Sequence, residues 1–187
     1  MKGLLTAVTL VSLFGCSSFT TGPNAPWGPI NGVDFIPADA FFLESVQPSN
    51  GDYNFVLIVA DQPGYCPILQ QNLAGFPPNI TFATFTFSNP RGSGSVDPRP
   101  GIYPVTAAIG PNPSSQVSYG SVSACVPAPL LAGTTGNVVM QTLSPNVTNM
   151  TGSVSVGFGD AGTLSGSYSA PWCNTFNAVA GPSRCFQ

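Results

Sequence analysis

Short runs of β-favouring residues recur along the chain between Gly, Pro and Asn punctuation, and each run predicts a strand. The pattern is clearest over residues 138–143, 150–158 and 163–170. In the second of these, Met150, Val154, Val156 and Phe158 share one face and oppose Thr151, Ser153 and Ser155. In the third, Leu164, Tyr168 and Ala170 oppose Thr163, Ser165, Ser167 and Ser169. Strict period-two patterning means one face buried and one face wet, as in an antiparallel meander. Residues 159–162, Gly-Asp-Ala-Gly, form a hairpin connection between the last two strands, and turn chemistry is the better reading of Asp160 than calcium ligation because no second carboxylate is near it in sequence.

Upstream, residues 41–46, 53–61, 80–88, 101–108 and 117–126 predict five more strands. Phe55, Val56, Leu57, Ile58 and Val59 are apolar without a break, which a central strand covered on both faces requires. Within 80–88 the alternation changes phase, Ile80 and Phe82 on one face and Phe85 and Phe87 on the other, so a bulge or a doubly covered strand is expected. Residues 66–74 place Ile68, Leu69 and Leu73 at helical spacing and predict a short helix after the Pro63-Gly64 turn. Residues 89–100, with three prolines, Arg91 and Arg99, read as a long exposed loop. With 21 Gly and 20 Pro in 187 residues, long helices are disfavoured. The expected fold is all-β: an antiparallel β-sandwich or Greek-key barrel of about eight strands with one short helix.

Charge changes the picture more than hydropathy does. Only 6% of positions are charged, with four Lys plus Arg against seven Asp plus Glu and a net charge of −3. Such a chain lacks the cationic surface that phosphate contacts need, so no nucleic-acid partner is expected. Histidine is absent, which removes the usual near-neutral base and metal ligand, and no metal or other cofactor is implied. No Gly-Xaa-Ser-Xaa-Gly elbow, phosphate loop or dinucleotide fingerprint is present. A two-carboxylate hydrolase has Asp34, Asp39, Glu44, Asp52, Asp61, Asp97 and Asp160 as its only candidates, and five of them sit beside turn residues, where capping is the favoured role. No catalytic residue is assigned, and a non-enzymatic protein is expected.

The first residues carry an address. Met1 and Lys2 precede an apolar stretch over 3–14, of signal-peptide length and too short to span a bilayer. Leu13-Phe14-Gly15-Cys16 resembles the lipobox of bacterial lipoproteins, in which the cysteine takes a diacylglyceryl group and, after cleavage, further acyl chains such as palmitate. Residues 1–15 are then a signal peptide, 16–30 a lipidated cysteine and flexible tether with a reach on the order of 20 Å, and 31–187 a single β domain. Ser17 resembles the outer-membrane sorting pattern, so the chain is expected to be lipid-anchored in the outer membrane, on its periplasmic or cell-surface side. Removal of Lys2 leaves Arg91, Arg99 and Arg184 as the basic residues.

Without Cys16, the cysteines Cys66, Cys125, Cys173 and Cys185 are even in number, which in an oxidising compartment predicts two disulfides. Three pairings are open, and Cys66 with Cys125 and Cys173 with Cys185 is favoured. Trp27, Tyr65 and Trp172 lie in loop-like segments and are candidates for a ligand- or glycan-contacting platform, although core packing is the favoured reading. The sequons at Asn79, Asn146 and Asn149 are incidental in a bacterial lipoprotein.

Gly152 through Phe158, followed by Leu164 through Pro171 and Cys173, resembles a family of uncharacterised lipoproteins of myxobacteria and related bacteria. The resemblance extends more weakly to Pro100, Gly101, Ile102, Tyr103 and Val105 and to residues 57–66. It implies an extracytoplasmic β-rich fold and brings no functional residues with it. The resulting expectation is a lipid-anchored envelope protein with a structural or surface-interaction role, a protein or glycan being the candidate partner.

Overall fold

A computed structural model of the chain describes residues 27–46, 53–70, 77–89, 98–108 and 112–174. In chain order the elements are β1 (Pro29–Ile30), β2 (Val33–Asp34), β3 (Asp39–Val46), β4 (Tyr53–Ala60), α1 (Tyr65–Gln70), β5 (Ile80–Ser88), β6 (Gly101–Pro104), β7 (Ser114–Ser123), β8 (Val126–Pro127), β9 (Leu131–Ala132), β10 (Thr135–Leu143), β11 (Asn149–Gly157) and β12 (Thr163–Pro171). A six-stranded sheet runs β3-β4-β5-β7-β8 with β9 also on β7, a four-stranded sheet runs β12-β11-β10-β6, and β1 pairs with β2. All the strand pairs are antiparallel. The fold is a β-sandwich with a helix on one outer face, and neither sheet closes into a barrel.

The layers follow from which side chains each strand turns inward. Phe55, Leu57 and Val59 of β4 and Ala83, Phe85 and Phe87 of β5 meet Met140, Met150, Val154 and Leu164 of the four-stranded sheet in the main core. The opposite face of the six-stranded sheet, with Phe41, Leu43, Ile80 and Phe82, packs under Tyr65, Ile68 and Leu69 of α1 in a second core. This explains the phase change in β5. Its pairing with β4 and with β7 runs without a register shift, so the strand has no bulge and is covered on both sides. The helix starts where a carboxylate can hold its free amides: Asp39 Oδ2 accepts from the backbone N–H of Gly64 at 2.9 Å and of Tyr65 at 3.1 Å.

Two corners join the sheets. After Pro104, Val105 N–H still donates to Gly136 O of β10 at 2.9 Å while Val105 bridges to Ser115 of β7, and Thr106 N–H donates to Ser115 O at 3.0 Å. After β12, Trp172 bridges to Phe42 of β3, and Cys173 N–H donates to Phe42 O at 2.7 Å. That second corner carries a disulfide from Cys173 to Cys66 of α1, with Cα atoms 5.8 Å apart.

Several expectations need correction. The favoured Cys66–Cys125 pairing is overturned by Cys66–Cys173, and the Cys173–Cys185 pairing falls with it. Cys173 is delivered to α1 by the β12–β3 corner, whereas Cys125 lies in the turn after β7, where its N–H donates to Pro78 O. Cys125 is disulfide-bonded as well. The domain begins before residue 31: Trp27 is 2% exposed, and Pro29–Ile30 is already strand. The strand expected over 117–126 is shifted to Ser114–Ser123, because Ser114 and Ser115, polar enough to read as loop, are paired with Ser88 and Phe87 of β5. The expected signal peptide, Cys16, the expected tether up to residue 26 and Cys185 lie outside the described residues.

A bond closing 107 residues of sequence removes much of the freedom of the unfolded chain. Cys66→Ala with Cys173→Ala is expected to cost about 2–5 kcal/mol, read as a lower denaturant midpoint in equilibrium unfolding. An unchanged midpoint would show that the corner holds without it.

Candidate functional site

The aromatic candidates do not form a platform. Trp27 sits in the main core, in edge-to-face contact with Phe35 and Phe85, each with ring centroids 6.2 Å away. Tyr65 is 3% exposed in the second core against Phe41, on the other side of the six-stranded sheet. Trp172 is half-buried, its ring 5.2 Å from Phe42 and 6.5 Å from Phe55. The three therefore act in packing, and the ligand-platform reading of them is corrected. Their loop-like sequence context came from neighbouring Gly and Pro, which here route the chain around the ends of the sheets.

The carboxylates are divided between backbone roles and solvent. Asp39 caps α1, and Asp61 Oδ1 accepts from Thr81 N–H at 2.8 Å. Asp34 and Asp160 are exposed, the latter in the 3₁₀ turn Gly159–Ala161 between β11 and β12. Glu44 lies exposed on β3 and is engaged in an interaction of its own. Asp52 and Asp97 are outside the described residues. Among the described residues, no three His, Cys, Asp or Glu side chains gather as a metal site.

What the fold assembles instead is the outer face of the four-stranded sheet. Strand register places Ser167, Ser153, Val139 and Ile102 in one row across β12, β11, β10 and β6. Ser165, Ser155, Asn137 and Pro104 form the next row, and Ser169, Thr151 and Thr142 flank the first on its other side. Paired residues project to the same side of a sheet. The field therefore repeats at about 4.8 Å across strands and about 6.7 Å along them. None of the four strands contains a charged residue. Along the β6 border Ile102, 65% exposed, and Pro104 add an aliphatic margin.

The inward side explains how this face is held. Tyr168 is buried, and its hydroxyl donates to Val139 O at 3.0 Å, so its ring crosses beneath β11 to reach β10. It can do so because its register partner is Gly152, where any Cβ would overlap the phenol and the Val139 carbonyl. One side chain thereby ties three strands. Trp27 seals the outer edge of β12: Ser165 N–H donates to Trp27 O at 2.6 Å, and the indole occupies the space left by Gly166.

Alternation in β11 and β12 made the wet serines legible, but not their continuity with β10 and β6. Asn137 and Thr142 carry no periodicity signal of their own, since β10 shifts register between Met140 and Thr142. Only pairing across strands reveals the field.

Burial also governs the tyrosines. It pushes the phenols of Tyr65 and Tyr168 far up, and those of Tyr103 and Tyr119 up as well, with the nearby Asp61 charge adding to Tyr119 and the Arg99 backbone bond partly offsetting Tyr103. A phenol whose folded value is raised lends stability that is complete below the ordinary value of 10.0 and is lost as pH rises toward the folded value. The protein is therefore expected to unfold in alkali above about pH 10, with phenolate absorbance appearing together with loss of the fold. Phenolate formation in a still folded protein would contradict this. Tyr168→Phe is expected to cost about 0.5–1.5 kcal/mol, since it removes the hydrogen bond to the Val139 carbonyl, and Gly152→Ala at least as much through overlap; equilibrium unfolding measures both. No family model, no curated protein and no solved structure matches the chain, so the site stands on its own residues.

Proposed function

We propose that this chain is a lipid-anchored envelope protein of the lipoprotein kind it resembles in sequence, without catalytic chemistry of its own, whose sandwich serves a structural or surface-interaction role outside the cytosol. The observation that carries the reading is the Cys66–Cys173 disulfide, because a cross-link that fastens the last strand to the helix belongs to an oxidising compartment. The lipobox-like Leu13-Phe14-Gly15-Cys16 supplies the address and the anchor. Asp39 and Asp61 hold backbone amides, which supports a structural role for them over an acid–base role. The uncharged face of the four-stranded sheet supplies a surface for interaction.

Expression in a Gram-negative host with a clickable palmitate analogue tests the anchor. The wild-type chain should be labelled and sediment with membranes, whereas Cys16→Ala should be unlabelled and released. Membrane retention of the unlabelled variant would overturn the reading. Nonreducing peptide mapping of the same material should join Cys66 to Cys173 and Cys125 to Cys185, because an acylated Cys16 has no thiol to offer. A peptide joining Cys125 to Cys16 would count equally against the anchor.

A further inference from the structure

We infer that the outer face of the β12-β11-β10-β6 sheet is a binding surface for an uncharged polysaccharide, lying across the strands along the rows Ser167–Ser153–Val139–Ile102 and Ser165–Ser155–Asn137–Pro104. This rests on the reading of the chain as a surface-interaction protein and names its partner class. The first argument is charge. A face built from four strands with no Asp, Glu, Lys or Arg offers a polyanion, an acidic peptide or an anionic lipid no counter-charge. A typical protein interface centres on buried Trp, Tyr or Arg anchors, and none projects from this field.

The second argument is hydrogen-bonding chemistry. Each serine hydroxyl both donates and accepts, as sugar hydroxyls do. Thr142 and Thr151 bond to each other at 2.6 Å, while the side chains of Ser153, Ser155, Ser165 and Ser167 bond to no other described residue and remain free for a ligand. The third is repetition. Rows four strands wide span about 14 Å at about 4.8 Å per step, a step close to the length of one sugar residue in an extended chain. Successive residues can thus meet successive strands, and individually weak contacts add along the polymer. Val139, Ile102 and Pro104 at one end of the rows suit the C–H face of a ring. Without an aromatic stacking platform, affinity depends on that repeat, so ordered polymers are held and short soluble oligosaccharides are not.

The test is co-sedimentation of the detergent-solubilised full chain with insoluble cellulose, chitin, mannan, and α- and β-1,3-glucans. Pelleting is expected with at least one polymer and should be unchanged from low to molar salt, because no ion pairs are involved. Ser155→Glu with Ser167→Glu, diagonal rather than opposed on the sheet, should weaken pelleting by about tenfold or more. Asn137→Asp, nearly isosteric, should weaken it in the same direction, and Gln70→Glu with Ala132→Glu, of equal charge but away from this face, should bind as wild type. The proposal is overturned by absence of pelleting with every polymer, by salt-sensitive binding, by equal binding of the face variants, or by a concentration-dependent dimer that the same variants dissociate. Because the assay is run in detergent, its failure leaves the anchor reading intact, and a failed Cys16→Ala experiment leaves this one intact.

Discussion

A strand packed on both faces has no fully wet side for alternate residues, and the central strands of the six-stranded sheet are built under that constraint. Its central strands β4 and β5 turn one set of side chains into the main core and the other toward α1. The six described residues of the helix could not persist alone. It stays because Asp39 holds its first amides, because Ile68 and Leu69 lie on the second core, and because Cys66 is fastened to the end of the opposite sheet. Remove the cover and Phe41, Ile80 and Phe82 become an exposed apolar face, which for a chain so poor in charge is a solubility problem as well as a loss of stability.

The four-stranded sheet solves the opposite problem. It has a single dry face, and its wet face is kept soluble by hydroxyls and an amide instead of ionised groups. Free edges are usually blunted by lysine, of which these strands contain none. The edges are managed by other means: β12 is paired along part of its length with the Trp27 segment, and β6 is only four residues long, preceded by Pro100 and ending in Pro104. Absence of charge is thus a property that the surrounding structure accommodates at several points.

The strands were legible in the sequence wherever one face was wet, as in β11 and β12, and wherever both faces were dry, as in β4. The β5 phase change was legible as a choice between two causes, and α1 decided it. Legibility failed where a residue's role depended on a distant partner. Ser114 and Ser115 become strand because β5 extends far enough to pair with them. Trp27 becomes core because Gly166 leaves it room. The pairing of the cysteines depends on a corner made by the last strand, to which spacing along the chain is blind. The hydroxyl face was legible as two separate stripes and became one field only through the registers of four strands.

The Cys66–Cys173 cross-link passes over an intervening cysteine. In synthesis from the amino end, Cys125 becomes available to Cys66 before Cys173 does, and Cys173 follows only after β12. A bridge formed in order of synthesis would therefore have to be undone by thiol exchange before the native one could close. The order of synthesis and the order of assembly run against each other in this protein.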